Sequence, residues 1–141
     1  MQRHASAVWQ GSMKEGKGTL SAESGVLKDV PYSHAKRFGN EAGTNPEELI
    51  AAAHAGCFTM ALSGKLGGAG FTPEKLSTRA NLTLEQVQGS WTITTIHLEL
   101  SAKVPGIDRA KFEALAADAK ATCPVSRLLK ANITLDAKLE A

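Results

Sequence analysis

The pattern of apolar and polar positions predicts strands at both ends and in the middle of the chain. Short β-like pieces punctuated by glycine and proline predict an N-terminal meander of two or three strands, over Ala7-Val8-Trp9, Gly16 to Ser21 and Val26 to Tyr32. Apolar residues alternate with polar ones from Leu76 to Leu84, and again from Trp91 to Val104 after a turn at Gln88-Gly89-Ser90. The two runs predict a hairpin, and a change of phase in the second predicts a bulge near Thr94-Thr95.

Helical spacing occupies the segment before this hairpin. Thr44 or Asn45 is suited to cap a helix that opens at Pro46, and the glycines that follow position 66 predict its end. Nearly all sides of this helix are apolar, which is typical of a central helix, and we expect it to form the core of a dimer. The spacing predicts one apolar stripe that includes a cysteine: Leu49, Ala53, Cys57 and Met60.

The C-terminal part predicts two more helices and a strand. Asp108 is suited to cap a helix that runs to about Ala121, a short helix follows from Pro124 to Lys130, and a strand covers Ile133 to Leu139. The order is an N-terminal β-meander, a long central helix carrying Cys57, a β-hairpin, a second helix, a short helix after Cys123 and a C-terminal strand. This order predicts an α+β fold in a single domain over residues 1–141.

Composition narrows the classes of function. The chain has 141 residues, 43% of them hydrophobic, and 16 Lys and Arg against 14 Asp and Glu give a net charge of +2. The basic residues are scattered and not interleaved with aromatic ones, which argues against nucleic-acid binding. The N-terminus lacks an apolar signal core, and the apolar stretch near Leu49 to Leu62 is too short to span a bilayer. We therefore expect a soluble, cytoplasmic protein that binds neither nucleic acid nor membrane.

Two cysteines carry the candidate chemistry. In a reducing compartment such a pair is more often catalytic, sensing or metal-binding than structural. Their separation, 123 − 57 = 66 residues, excludes a C-x-x-C motif, so the fold itself must bring them together. Cys123 precedes Pro124 at a helix start, where free backbone N–H groups favour a thiolate. Cys57 lies in an apolar helix and needs a nearby cation to become a nucleophile, for which Arg37 and His54 are the candidates.

His54 has three possible roles. It lies one helical turn before Cys57, where it is placed to act as a base or, together with Cys57 and Cys123, as a zinc ligand. The third role is that of a hydrogen-bonded core histidine. The four histidines of the chain show no repeated Cys/His spacing, which weakens the zinc hypothesis.

Two segments resemble the cysteine motifs of the OsmC/Ohr family. They are Gly43 to Phe58, which reads GTNPEELIAAAHAGCF, and Cys123-Pro124-Val125-Ser126. The resemblance extends over nearly the whole chain and is greatest to the OsmC branch. It implies a cysteine-based, peroxiredoxin-like peroxidase that reduces organic hydroperoxides and protects against peroxide stress. It also implies an intertwined α+β homodimer with two active sites at the subunit interface.

The resemblance assigns roles to four residues. Cys57 matches the peroxidatic thiol, Cys123 the resolving thiol, Arg37 the arginine that holds the thiolate, and Glu47 the carboxylate that orients Arg37. Local electrostatics alone would favour Cys123 as the more activated thiol, whereas the resemblance gives first attack to Cys57. The implied cycle passes through a Cys57 sulfenic acid and a Cys57–Cys123 disulfide, which an external dithiol such as a lipoyl group reduces. It requires no metal, flavin or haem.

Two further expectations concern geometry and substrate. Glu47 precedes Cys57 by ten residues, about 15 Å of helix rise, so a compact site needs Arg37 to bridge the gap, a bent helix, or Glu47 from a partner subunit. An apolar wall that includes Phe58 and Met60 would favour bulky hydroperoxides. The alternative to an enzyme is a redox sensor or apolar-ligand-binding protein that uses the same cysteine pair.

Overall fold

A computed structural model describes residues 1–141 and confirms the α+β class and the order of the predicted elements, to which it adds one short helix. The elements are β1 (Ala5–Gln10), β2 (Lys17–Ala22), β3 (Val30–Tyr32), α1 (His34–Phe38), α2 (Pro46–Gly68), β4 (Lys75–Val87), β5 (Ser90–Lys103), α3 (Arg109–Thr122), α4 (Pro124–Leu128) and β6 (Asn132–Leu139). They form two compact units, Met1–Leu49 and Ile50–Ala141. The assignment of residues 1–141 to one domain stays a prediction.

Unit 1 contains an antiparallel sheet of order β1-β2-β3 and the short helix α1. Gly18 lies between Trp9 and Tyr32 in the register, and a Cβ at this position would collide with both aromatic rings. The two rings therefore pack across the glycine, with their centroids 5.3 Å apart. The third strand is shorter than predicted, and the sequence pattern did not predict α1.

Unit 2 contains a sheet of order β4-β5-β6, in which β5 is antiparallel to β4 and parallel to β6. The hairpin turn has φ values of 50° at Gln88 and 82° at Gly89, as a tight primed turn requires. Thr83 faces Thr95 and the next residue, Leu84, faces Ile93, so Thr94 has no opposite residue. The hairpin and its bulge are thus confirmed.

The core of unit 2 is formed by α2, α3 and the sheet. Its side chains with at most 5% exposure are Phe58, Leu62, Leu66, Ile96, Leu98, Leu100, Ala102, Val104, Phe112, Ala116, Ala119 and Cys123. On α2 the buried positions recur every four residues, at His54, Phe58, Leu62 and Leu66. The predicted stripe is wrong, because Ala53 is exposed, Met60 is 79% exposed and Cys57 is only half-buried.

Helix α2 begins and ends where its local sequence predicts. Asn45 Oδ1 accepts a hydrogen bond of 2.8 Å from the backbone N–H of Glu48, which identifies Asn45 as the capping side chain. After Gly68 the chain turns at Gly70, whose φ of +88° suits glycine. Asp108 likewise caps α3, through a bond of 2.8 Å from the Lys111 N–H.

By length and composition alone, the 23-residue helix α2 could cross a membrane. The expectation that the apolar stretch is too short is therefore wrong as to length. Core helices of soluble proteins meet the same criteria, and α2 buries Phe58, Leu62 and Leu66 in the core of unit 2. Within the protomer only 22% of its most apolar window is buried, which leaves an uncovered apolar face on α2.

Candidate active site

The fold brings the two cysteines together in unit 2. Cys57 lies in the middle of α2, and Cys123 connects α3 to α4. Both are free thiols that pack in the same core, where Cys123 is 1% exposed and Cys57 is half-buried. The two side chains interact closely enough that Cys123 changes the titration of Cys57. Two thiols that are 66 residues apart in sequence are therefore neighbours in space.

The protein environment disfavours the Cys57 thiolate. Burial raises the pKa of the Cys57 thiol, and the adjacent Cys123 side chain raises it further. The backbone N–H of Val125 acts in the opposite direction, because it donates a hydrogen bond to the sulfur. A reactive Cys57 thus needs a positive charge in addition to this amide.

Cys123 caps two helices at once. Its backbone N–H donates to the Ala119 carbonyl at 3.0 Å and closes α3, while its Sγ accepts from the Ser126 N–H at 3.3 Å and opens α4. The prediction that Cys123 stands at the start of a helix before Pro124 is confirmed. The residue is thus held by its own backbone N–H on the α3 side and by its sulfur on the α4 side.

His54 reaches Cys123 through a serine. His54 is fully buried, and its Nε2 lies 2.7 Å from Ser126 Oγ, which in turn accepts a hydrogen bond of 3.1 Å from Cys123 Sγ. His54 Nδ1 is buried without a partner, and burial lowers the pKa of the imidazole. The prediction of a hydrogen-bonded core histidine is confirmed.

Sequence reasoning did not identify Ser126 as a contact of both residues. The usable signal was its position three residues after Cys123, where a helix-capping side chain meets the backbone. No three His, Cys, Asp or Glu side chains of the chain come together in an arrangement that could hold a metal ion. The zinc ligand set His54, Cys57 and Cys123 therefore has no support in this geometry.

Arg37 and Glu47 form an ion pair in unit 1. Arg37 Nε lies 3.0 and 3.1 Å from the two carboxylate oxygens, and Nη2 donates to Oε1 as well. The hydrogen bonds that Arg37 donates to Glu47 raise the pKa of Arg37, so its positive charge is secure. Glu47 belongs to the first turn of α2, where a carboxylate also stabilises the helix dipole.

Aromatic side chains surround the guanidinium in unit 1. The centre of the Arg37 guanidinium lies 5.1 Å from the centroid of the Phe38 ring. A cavity of about 60 Å³ is bordered by Arg37, Phe38, Tyr32 and Trp9, among others. Phe58, which the sequence predicted in such an apolar wall, is instead fully buried in the core of unit 2.

The fold and the thiol pair define an α+β protein with two adjacent free cysteines in one core. Residues 39–138 match the family described as OsmC-like protein. The chain belongs to this family, and the resemblance found in the sequence is confirmed.

Relatives of known name cover most or all of the chain. Peroxiredoxin OsmC of Escherichia coli (strain K12) is 52% identical over 141 residues, which span 100% of this chain and 99% of the relative. The organic hydroperoxide resistance protein of Xanthomonas axonopodis pv. citri (strain 306) is 30% identical over 121 residues, 84% of this chain and 83% of the relative. The chain is therefore similar both to a relative named OsmC and to one named organic hydroperoxide resistance protein.

Solved structures share the fold. An OsmC-like protein of Vibrio cholerae has a TM-score of 0.77 at 16% identity and covers 97% of this chain and 99% of its own. The organic hydroperoxide resistance protein OhrB of Bacillus subtilis has a TM-score of 0.68 at 24% identity, with coverage of 97% and 98%. The OsmC/Ohr fold is thus shown for 97% of the chain.

Proposed function

We propose that this protein is a cysteine-based peroxidase that reduces organic hydroperoxides to alcohols and protects against peroxide stress. The observation that carries the proposal is the pair of free, neighbouring thiols, Cys57 and Cys123, in a chain of the OsmC family. The names of its relatives, a peroxiredoxin and an organic hydroperoxide resistance protein, agree with this chemistry.

Cys57 is the peroxidatic thiol in this proposal. Its thiolate attacks one oxygen of R–O–O–H, the O–O bond breaks, and Cys57 becomes a sulfenic acid. The alkoxide that leaves takes a proton and departs as the alcohol. Half-burial gives the sulfur access to substrate, and the Val125 N–H stabilises the thiolate against the cost of burial.

Arg37 supplies the charge that Cys57 needs. A guanidinium cannot lose its proton at physiological pH, so it lowers the pKa of a thiolate that it contacts and stabilises the alkoxide as it forms. Glu47 fixes the orientation of Arg37 through bonds to Nε and Nη2. The aromatic rings that border Arg37 favour substrates with bulky apolar groups over hydrogen peroxide.

Cys123 is the resolving thiol. Its sulfur attacks the sulfur of the Cys57 sulfenic acid, the S–O bond breaks, and water and a disulfide form. An external dithiol, of which a lipoyl group is one example, then reduces the disulfide by exchange. The resolving step prevents oxidation of Cys57 to the sulfinic acid.

The proposal includes a cytoplasmic homodimer. The exposed face of α2 is apolar and has room for a partner, because a Cβ at Gly56 or Gly64 would meet no atom within 4 Å. Met60 on this helix is 79% exposed. Large exposed apolar side chains beside small residues are typical of helices that pack against another subunit.

Intact mass after one equivalent of cumene hydroperoxide tests the proposal. We expect reduced wild type to lose two hydrogens, Cys57→Ser to remain unreacted, and Cys123→Ser to gain oxygen on Cys57. Repeated turnover with dihydrolipoamide as reductant distinguishes an enzyme from a redox sensor or an apolar-ligand-binding protein. A wild type that reacts no faster than free cysteine would refute the peroxidase assignment.

A further inference from the structure

The strongest unassigned feature is the buried chain of hydrogen bonds from Cys123 through Ser126 to His54. Cys123 Sγ donates to Ser126 Oγ at 3.1 Å, and Ser126 Oγ lies 2.7 Å from His54 Nε2. If each hydroxyl or thiol hydrogen is used once, Ser126 donates to Nε2 and the imidazole hydrogen is on Nδ1. All hydrogen bonds of this chain then point in one direction, from the Cys123 thiol to the His54 imidazole.

We propose that His54 and Ser126 form a proton relay that activates Cys123 for the resolving step. This inference rests on the proposed peroxidase function. Ser126, which touches the reacting sulfur, takes the Cys123 proton as its own hydroxyl proton moves to His54 Nε2. His54 acts through Ser126 and is a positioning and proton-holding residue.

The step is balanced in atoms and electrons. The Cys123 sulfur forms a bond to the sulfur of the Cys57 sulfenic acid, and the S–O bond breaks with both electrons on the leaving hydroxide. The proton held by His54 returns through Ser126 and converts hydroxide to water. When an external dithiol later reduces the disulfide, a proton from one of its thiols passes to the Cys123 thiolate as it leaves.

Two observations distinguish a relay from a merely structural histidine. Nδ1 is buried without a hydrogen-bond partner, a cost that an apolar side chain of similar size would avoid. Burial also lowers the pKa of His54, which keeps the imidazole neutral and able to accept a proton near pH 7. A base that holds the proton weakly is suited to passing it on to the hydroxide.

The other titratable groups on the helices around Cys123 have partners of their own or are exposed, apart from Cys57. Cys57 is the titratable neighbour of Cys123 on α2. On α3, Lys120 is directed to the Ile133 carbonyl and Asp118 pairs with Lys65. On α4, the only charged side chain is Arg127, which is exposed. His54 is thus the base connected to the Cys123 sulfur.

The size of the effect follows from ordinary thiol chemistry. A free cysteine has a pKa of about 8.5 and is only a few per cent thiolate near pH 7, so a relay can raise its reactivity by at most about thirtyfold there. The advantage must shrink as the pH rises, because solvent hydroxide then removes the proton without help. Loss of a structural contact would lower the rate at all pH values.

Rapid-quench mass analysis of the full chain tests the relay. The variants are Ser126→Ala, which breaks the chain, and His54→Gln, which keeps an amide that can hydrogen-bond but holds no proton. We expect the oxygen-added form of Cys57 to accumulate in both near pH 7, with disulfide formation slowed about tenfold to thirtyfold and the difference from wild type shrinking as the pH rises. Ser126→Thr should restore the rate.

Thr59→Val is the matched control. Thr59 is on the same helix as His54, and its hydroxyl is bonded to the Ala55 carbonyl and to Thr78, away from Cys123. An equal slowing in this variant, a loss that does not depend on pH, or resolution at the wild-type rate in Ser126→Ala would overturn the relay.

A second measurement separates the relay from the peroxidase assignment. In Cys57→Ser, Cys123 is the sole thiol, and its reaction with a small disulfide near pH 7 is followed by mass. We expect the added substitution His54→Gln to slow this reaction, because the base that takes the Cys123 proton is lost. An unchanged rate would refute the relay, whereas a slowed reaction in a protein whose wild type forms no sulfenic acid would refute only the peroxidase function.

Discussion

Lys36 and Arg37 are adjacent cations with different partners, and the difference matters for their roles. Lys36 Nζ binds Glu41 Oε1 at 3.1 Å and the Ala42 carbonyl at 2.9 Å, so it is anchored in its own loop. Arg37 binds Glu47 through two of its nitrogens. Only a guanidinium can hold a carboxylate in this way and still present another N–H to a thiolate.

Arg37→Met should therefore lower kcat/KM for cumene hydroperoxide about a hundredfold near pH 7, as loss of a single charge-stabilising donor does in other enzymes. Without the guanidinium the pKa of Cys57 rises, and the rate profile should move to higher pH. Steady-state rates across pH measure both effects.

Lys36→Met is the matched control, since it removes the same charge one residue earlier and should change the rate less than about twofold. Glu47→Gln should have an intermediate effect, because the amide keeps one acceptor for Arg37. An equal loss of activity in Lys36→Met and Arg37→Met would show that Arg37 acts only through the net charge of this segment and not through a specific contact.

The roles that could be predicted from the sequence are those set by neighbouring residues in the chain. The cap at Asp108 and the position of Cys123 before Pro124 follow from neighbours in the chain. The Ser126–His54 contact joins residues that are 72 positions apart, and nothing in either local pattern specifies it. The burial of Phe58 was misjudged for the same reason, because the sheet selects the buried face of α2.

Helix α2 has two different apolar faces. One buries His54, Phe58, Leu62 and Leu66, and the other leaves Met60 and small residues uncovered in the protomer. Periodicity could not rank the two faces, because a helix that is apolar all round has no preferred side. The hairpin was predictable in detail because its turn residues, and the shift in the alternation of apolar residues that marks the bulge, lie close together in the sequence.

Met60→Glu tests the uncovered face of α2. A charge at this position is harmless in a protomer where Met60 is 79% exposed, but it would be buried in an interface. We expect sedimentation to show a dimer for wild type and a folded monomer for the variant.

Val26→Glu is the control, since Val26 is 80% exposed and lies in the loop between β2 and β3. This variant should remain dimeric. A Met60→Glu protein that sediments as the wild type does would exclude this face as the subunit interface.

At the scale of the molecule, the chain places its ion pair in unit 1 and its thiols in unit 2. The element order and the α+β class were predictable, because both follow from periodicity. The division into two sheets, with β6 parallel to β5, was not. Strand partners are chosen by contacts between distant segments, and a strand pattern alone does not name its neighbour.

Mixed dimers identify which chain supplies Arg37 to each site. Glu47, the partner of Arg37, is ten residues before Cys57 on α2, about 15 Å of rise, and in the proposed homodimer we expect the partner subunit to supply the arginine. As homodimers, Arg37→Met should keep about 1% of wild-type activity and Cys57→Ser none. Refolded together, they should regain about a quarter of wild-type activity, since half of the dimers are mixed and each has one complete site.

The same mixture would stay inactive if each chain used its own Arg37, because the chain with Cys57 would lack the arginine. Wild type diluted with Cys57→Ser, refolded in the same way, calibrates the yield of active dimers.

The double cap at Cys123 ties the backbone to the redox state of the protein. The sulfur that would form the disulfide is the same sulfur that accepts the Ser126 N–H at 3.3 Å in the reduced form, so any movement of it toward Cys57 would lengthen the bond that caps α4. Oxidation would then loosen the first turn of α4 and expose that amide to exchange with solvent. An external dithiol would then reach the disulfide beside a loosened helix end, so oxidation of the protein would itself make the following reduction easier.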